Sequence, residues 1–144
     1  MTRNEIYTIL NRVSDLDAEL QIVNIRIERM ESTLQGHAIR YDQDKVQVSP
    51  SDRVADVMAD MEELLLKQKR LQRDLLKAEQ ETADLIGRLK DGKHRLVLTY
   101  RYTASLPWAS IAKRMGYDER HVKRLRDDAV DILCKPVKNV TKCH

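Results

Sequence analysis

The stretch Leu106–Leu133, LPWASIAKRMGYDERHVKRLRDDAVDIL, decides the architecture of the C-terminal part of the chain. Its spacing predicts a helix, a tight turn and a second helix. Pro107 suits a first helical position, where its missing N–H costs nothing. Ile111, Ala112 and Met115 then share one side of the first helix. Gly116 follows, the residue best able to take the positive φ of a chain-reversing turn. Asp118 can cap the next helix by accepting a bond from an unpaired N–H of its first turn. Val122, Leu125, Ala129, Ile132 and Leu133 recur at helical spacing and predict a buried stripe, with Arg120, Lys123, Arg124 and Asp127 turned outward. A scaffold helix, a glycine turn and a helix with a basic outer face is the plan of a helix-turn-helix that reads the major groove. A helix pair whose basic face is merely solvated has the same pattern, so the remainder of the chain has to decide.

The chain has 144 residues, enough for one domain or for a small domain plus an extended element. Four Gly, three Pro, no Phe and 34% charged residues favour long helices over a large globular core. No apolar run approaches the ~20 residues that a membrane span needs. The first residues, MTRNEIYTIL, lack the apolar core of a signal peptide. The expectation is a cytoplasmic protein without a membrane partner. Charge is unevenly placed: residues 93–144 hold 12 Lys and Arg against 5 Asp and Glu, while residues 1–92 hold 14 against 18. A basic C-terminal third on an acidic remainder is expected where one end meets a polyanion.

Residues 3–35 predict a long helix. Ile6, Ile9, Val13, Leu16, Leu20, Val23, Ile27, Met30 and Leu34 alternate spacings of three and four, a heptad seam of period 3.5. Leu10, Ile22 and Ile25 flank it and broaden the apolar face. Gly36 can end this helix. Residues 36–49 read as a connection on which Tyr41, Val46 and Val48 can pack. Ser49, Pro50 and Asp52 then offer a cap, a first helical position and a capping-box partner.

Residues 50–90 predict a second long helix, roughly 60 Å in length at 1.5 Å per residue. Its seam runs Val54, Val57, Met61, Leu64, Gln68, Leu71, Leu75, Ala78, Thr82, Leu85 and Leu89, with only Gln68 and Thr82 polar. A lone polar seam residue can fix register. Neither seam can stay in water. The two can pair within one chain, folded back antiparallel, or between two chains; a homodimer would suit a two-part DNA site.

Asp91-Gly92 stops the second helix, and Lys93–Thr103, KHRLVLTYRYT, starts a third whose Leu96, Val97, Tyr100 and Tyr102 can face the next two helices, with Trp108 closing the cluster. The fold expected is therefore all-α: a long antiparallel two-helix coiled-coil hairpin over 1–91, a three-helix head over 92–134, and a flexible tail over 135–144. A head of that size is marginal alone, so the hairpin or a partner should help stabilise it.

No catalytic constellation is present: no Gly-rich phosphate loop, nucleophile elbow or paired-His metal motif. Asp127, Asp128 and Asp131 read as a solvated face. Cys143 beside His144 offers two ligands where zinc needs four, and Cys134 adds no framework. Neither an enzyme nor a cofactor or metal protein is expected.

VLTYRY at 97–102 and WASIAKRMGYDERHVKRLRDDAVDIL at 108–133 resemble region 4 of bacterial sigma-70 factors, the part that binds the promoter −35 element. The resemblance covers Leu96–Leu133, about a quarter of the chain, and its apolar skeleton is Trp108, Ile111, Ala112, Met115, Val122, Leu125, Ala129 and Leu133. The whole layout, with YDQDKVQVSP at 41–50, is similar to phage and prophage late-gene transcription regulators of the RinA and ArpU kind. This implies a regulator in a bacterial host, with double-stranded DNA and bacterial RNA polymerase as partners. Sigma region 2 is missing, so promoter opening is not implied. The region-4 pattern puts its DNA contacts in the first two turns of the second helix, here Glu119, Arg120, Lys123 and Arg124. Arg can grip guanine O6 and N7, Glu can accept from cytosine N4, and Lys123 suits phosphate. These types differ from the sigma pattern, so the −35 consensus does not carry over. With His121 and Asp127 they make the expected DNA-facing set of a recognition helix over about 119–133. Two other readings stay open: a DNA-packaging component like a small terminase subunit, and a coiled-coil interaction module that never touches DNA.

Overall fold

The computed structural model describes residues 1–43 and 50–135, with side chains described over 1–36 and 53–135. Among these residues every regular element is helical: α1 (Arg3–Gln43), α2 (Pro50–Gly87), α3 (Gly92–Leu98), a π-helical segment (Thr99–Thr103), α4 (Trp108–Met115) and α5 (Glu119–Cys134). The protein is all-α, as the periodicity predicts. It divides into two compact units, Met1–Asp15 with Leu75–His144, and Leu16–Asp74.

In the first unit, the opening turns of α1 and the last turns of α2 share one core with α3, α4 and α5. Ile6, Leu10, Leu85, Ile86, Leu89, Val97, Leu98, Tyr102, Ile111, Ala112, Val122, Ala129, Val130 and Leu133 are its buried members. Each large aliphatic side chain removed from water contributes about 1.5–3 kcal/mol. The boundary expected at residue 91 is therefore not where the compact units divide. Ile6 and Leu10 are fully buried in the same core as Val97 and Leu98, so α3, α4 and α5 obtain part of their interior from residues 1–15. Thr82, the buried polar seam residue, is 1% exposed, and its hydroxyl donates to the Ile9 carbonyl at 3.5 Å.

The second unit holds a smaller cluster. Val23 and Ile27 of α1 pack with Leu64 and Leu71 of α2, bordered by Leu16, Leu20, Met30 and Met61. Gln68, the polar residue of this seam, donates from Nε2 to Asn24 Oδ1 at 2.6 Å. That bond satisfies two half-buried amides at once and favours one register over its neighbours.

Several local expectations need correction. Gly36 does not end α1, which runs on to Gln43. Among the described residues Gly116 is the glycine with positive φ, so Gly36 makes no left-handed cap and costs the helix only about 1 kcal/mol against Ala. α2 ends at Gly87 rather than 90, where 3₁₀-type bonds from Arg88 N–H to Leu85 O and from Leu89 N–H to Ile86 O tighten the chain. Asp91 begins the next helix instead of only stopping the last: its carboxylate accepts from Lys93 N–H at 2.9 Å. The segment expected as one helix to Thr103 widens at Thr99, with Ala104 N–H bonding Thr99 O. Leu96 is 41% exposed and Leu98 is buried in its place, while Val97 and Tyr102 are buried as expected. Ser105 then turns the chain with φ +56°, and Pro107 is the N-cap of α4 rather than its first residue. On α5 the buried stripe is rotated, so Val130 is fully buried and Ile132 is 41% exposed. The expected packing of Tyr41, Val46 and Val48, the caps at Ser49 and Asp52, and the tail from 136 with Cys143 and His144 lie outside the described residues.

Candidate nucleic-acid interface

Local chemistry fixes the angle between α4 and α5. Gly116 takes φ +75° and ψ 28°, and the N–H groups of Gly116 and Tyr117 both bond Ala112 O, at 2.9 and 3.0 Å. An added Cβ at Gly116 would meet open space, so the backbone angle rather than crowding demands glycine there. The Asp118 carboxylate accepts from His121 N–H at 2.8 Å and starts α5. Both expectations for this turn hold.

Of the expected core of this pair, Ile111, Ala112, Val122 and Ala129 are buried, and Trp108, Met115 and Leu125 are half-buried against the same cluster. The outward set divides into three groups. Glu119, Arg120, Lys123 and Arg124 are exposed. Among the described residues none of the three cations has a carboxylate within ion-pair distance. Two shallow depressions lie over them, one edged by Tyr117, Asp118, Arg120, His121 and Arg124, the other by Arg120, Lys123, Arg124 and Asp127. The positive end of the α5 dipole falls in the same two turns, so backbone and side chains both favour an anion there.

His121 is half-buried and stacks edge-on against Tyr117, with ring centroids 4.3 Å apart. Lys93, at the start of α3, sits 5.7 Å over the Tyr117 ring, and hydrogen bonding to that tyrosine raises its pKa. Lys93 thus belongs to the same basic surface. Sequence reasoning missed it because 24 residues separate it from Tyr117 and no period links them.

Asp127 stands apart from the other five. Its Oδ1 is 2.9 Å from Arg126 Nε and 4.0 Å from an Arg3 guanidinium nitrogen, and Arg3 also pairs with Asp131. Arg126 lies within the buried stripe by spacing. Burial works against its charge, but the Asp127 carboxylate and nearby tyrosines outweigh this and raise its pKa. Its guanidinium carbon lies 4.9 Å from the Trp108 ring centroid, and that of Arg101 lies 4.6 Å from it. Trp108 is accordingly a seat for two guanidinium groups as well as an apolar residue. Asp127, Asp128 and Asp131 bound the basic surface on its C-terminal side, so on α5 the unpaired cations lie in the first two turns.

Among the described residues no helix is long and apolar enough to cross a membrane, and no group of three or more His, Cys, Asp or Glu could hold a metal ion. Compared with protein-family models, curated proteins and solved structures, the chain shows no match.

Proposed function

We propose that this chain is a sequence-specific DNA-binding transcription regulator of the phage and prophage type. α3, α4 and α5 act as a helix-turn-helix head, with the first two turns of α5 in the major groove. α1 and α2 act as an antiparallel coiled-coil hairpin. One observation carries this reading: Arg120, Lys123 and Arg124 are exposed and unpaired among the described residues, while the opposite face of the same helix is locked into the core through Val122 and Ala129. An outer face held rigidly by its inner face is what base readout requires.

In this role Arg120 and Arg124 read base edges, and Lys123 and Lys93 hold phosphate. Fluorescence anisotropy against DNA from the flanking genomic region tests it. Arg120→Ala and Arg124→Ala each weaken specific binding by ~1–3 kcal/mol. Lys123→Ala weakens all sequences alike and lowers the steepness of the salt dependence. Unchanged affinity in both arginine variants sinks the assignment of the reading face. No affinity for any duplex at low salt sinks the function.

A further inference from the structure

The second unit leaves apolar side chains uncovered on its outer surface. Leu66 of α2 is 63% exposed although Leu64 and Leu71, near it in sequence, are buried. At 100° per residue Leu66 points away from that seam. The charges around it are ordered. Glu62 and Glu63 lie one turn before it, Lys69 and Arg70 one turn after it, on the same face. Glu63, Leu66, Lys69 and Arg70 edge one groove, together with Arg26 and Met30 of α1. Among the described residues none of these four α2 charges forms an ion pair, although Glu63 and Lys67 have the spacing for one.

We infer that this face is the docking surface for a second copy of the chain, with the two α2 helices antiparallel about a two-fold axis at Leu66. Reversing the sequence order around Leu66 exchanges acids for bases. On one flank Glu63 of each copy meets Arg70 of the other; on the opposite flank Glu62 meets Lys69. The two leucines meet at the centre. A parallel pair would instead set acid against acid and base against base, Glu63 meeting Glu62 and Arg70 meeting Lys69. Such a self-complementary patch closes at two copies and leaves no free end for further growth. This goes beyond the proposed DNA binding and does not depend on it.

Sedimentation equilibrium of the full chain is the test, with DNA absent. The expected result is a dimer. Glu63→Arg and Arg70→Glu each raise its dissociation constant by roughly tenfold or more, because every substitution sets like charges together twice. The double variant, Glu63→Arg with Arg70→Glu, restores it. Residues seven apart on one helix are ~10 Å from each other along the axis, so rescue reports contact between chains. In a Cys134→Ser, Cys143→Ser background, Leu66→Cys forms an interchain disulfide under mild oxidation, since facing Cα atoms of packed helices come within the ~4.4–6.8 Å that a disulfide spans. Helicity by circular dichroism confirms that each variant is folded. A monomer at ~100 μM, a ring of many copies, or a dimer indifferent to both charge reversals overturns the inference. DNA affinity measured in parallel keeps the two proposals separable: a dimer that ignores DNA sinks only the function, and a DNA-binding monomer sinks only the interface.

Discussion

In the unit formed by residues 1–15 and 75–135, Ile6, Leu10, Val97, Leu98, Ile111, Val122, Ala129 and Val130 are all 0% exposed, whereas in Leu16–Asp74 the best covered side chain, Val23, is 2% exposed and Ile22 and Leu66 are 60% and 63% exposed. The contrast follows from the number of surfaces available. Helical segments arriving from several directions can enclose a side chain on all sides. Two helices can cover only the stripe between them, and every apolar residue off that stripe stays wet. A chain that keeps isoleucine and leucine on such a surface leaves a face suited to association.

Truncating one leucine in each unit is the most forceful way to break this contrast. Leu98→Ala leaves a cavity in a core closed on all sides and costs ~2–5 kcal/mol in chemical denaturation. Leu71→Ala, in the two-helix layer, costs at or below ~2 kcal/mol, because the helices can close over the gap. Equal losses would mean that both cores are enclosed alike. Next in size is the polar pair of the second unit. Gln68→Ala strands Asn24 half-buried and costs ~1–2 kcal/mol, while Asn24→Leu with Gln68→Leu regains most of it. A double variant no better than the single one would show that the amides hold more than each other.

The turn between α4 and α5 gives a smaller effect in the first unit. Gly116→Ala keeps the space but not the backbone, since φ +75° is unfavourable for any residue with a Cβ, and it lowers stability by about 1 kcal/mol. Thermal melts of Gly116→Ala and Gly116→Asn separate the two causes, because asparagine tolerates that angle better. The subtlest signature is alkaline. Burial raises the Tyr102 phenol above its ordinary value near 10, so the folded chain keeps that proton where the unfolded chain has lost it. Its contribution is complete below about pH 10 and is lost as pH rises through the folded value. Tyr102→Phe should flatten that part of the stability curve, and an unchanged curve would place the alkaline loss elsewhere.

The seam positions show what was legible in advance. Each residue of the α1 seam, from Ile6 to Leu34, is buried or half-buried, and so is each residue of the α2 seam from Val54 to Leu89. The spacing carried this because a helix has one period wherever it is placed. Leu96 and Ile132 were misjudged for the complementary reason. Both have helical spacing to a plausible face, but how α3 and α5 are turned against the shared core decides which neighbour goes inside. Within the candidate interface, Arg120, Lys123 and Arg124 were legible as outward cations. That Asp127 is held by Arg126 and Arg3 was not, since Arg3 lies at the other end of the sequence.

By itself, the sequence determined the helices, their apolar stripes, the left-handed glycine and the aspartate cap, because each depends on residues within about one turn of each other. Only the tertiary structure decided that Ile6 and Leu10 complete the core around α5, that Lys93 joins Tyr117 and His121, and that Trp108 seats two arginines. Such contacts join distant parts of the chain, and the free energy that selects them comes from enclosing several helices at once, which no local period encodes.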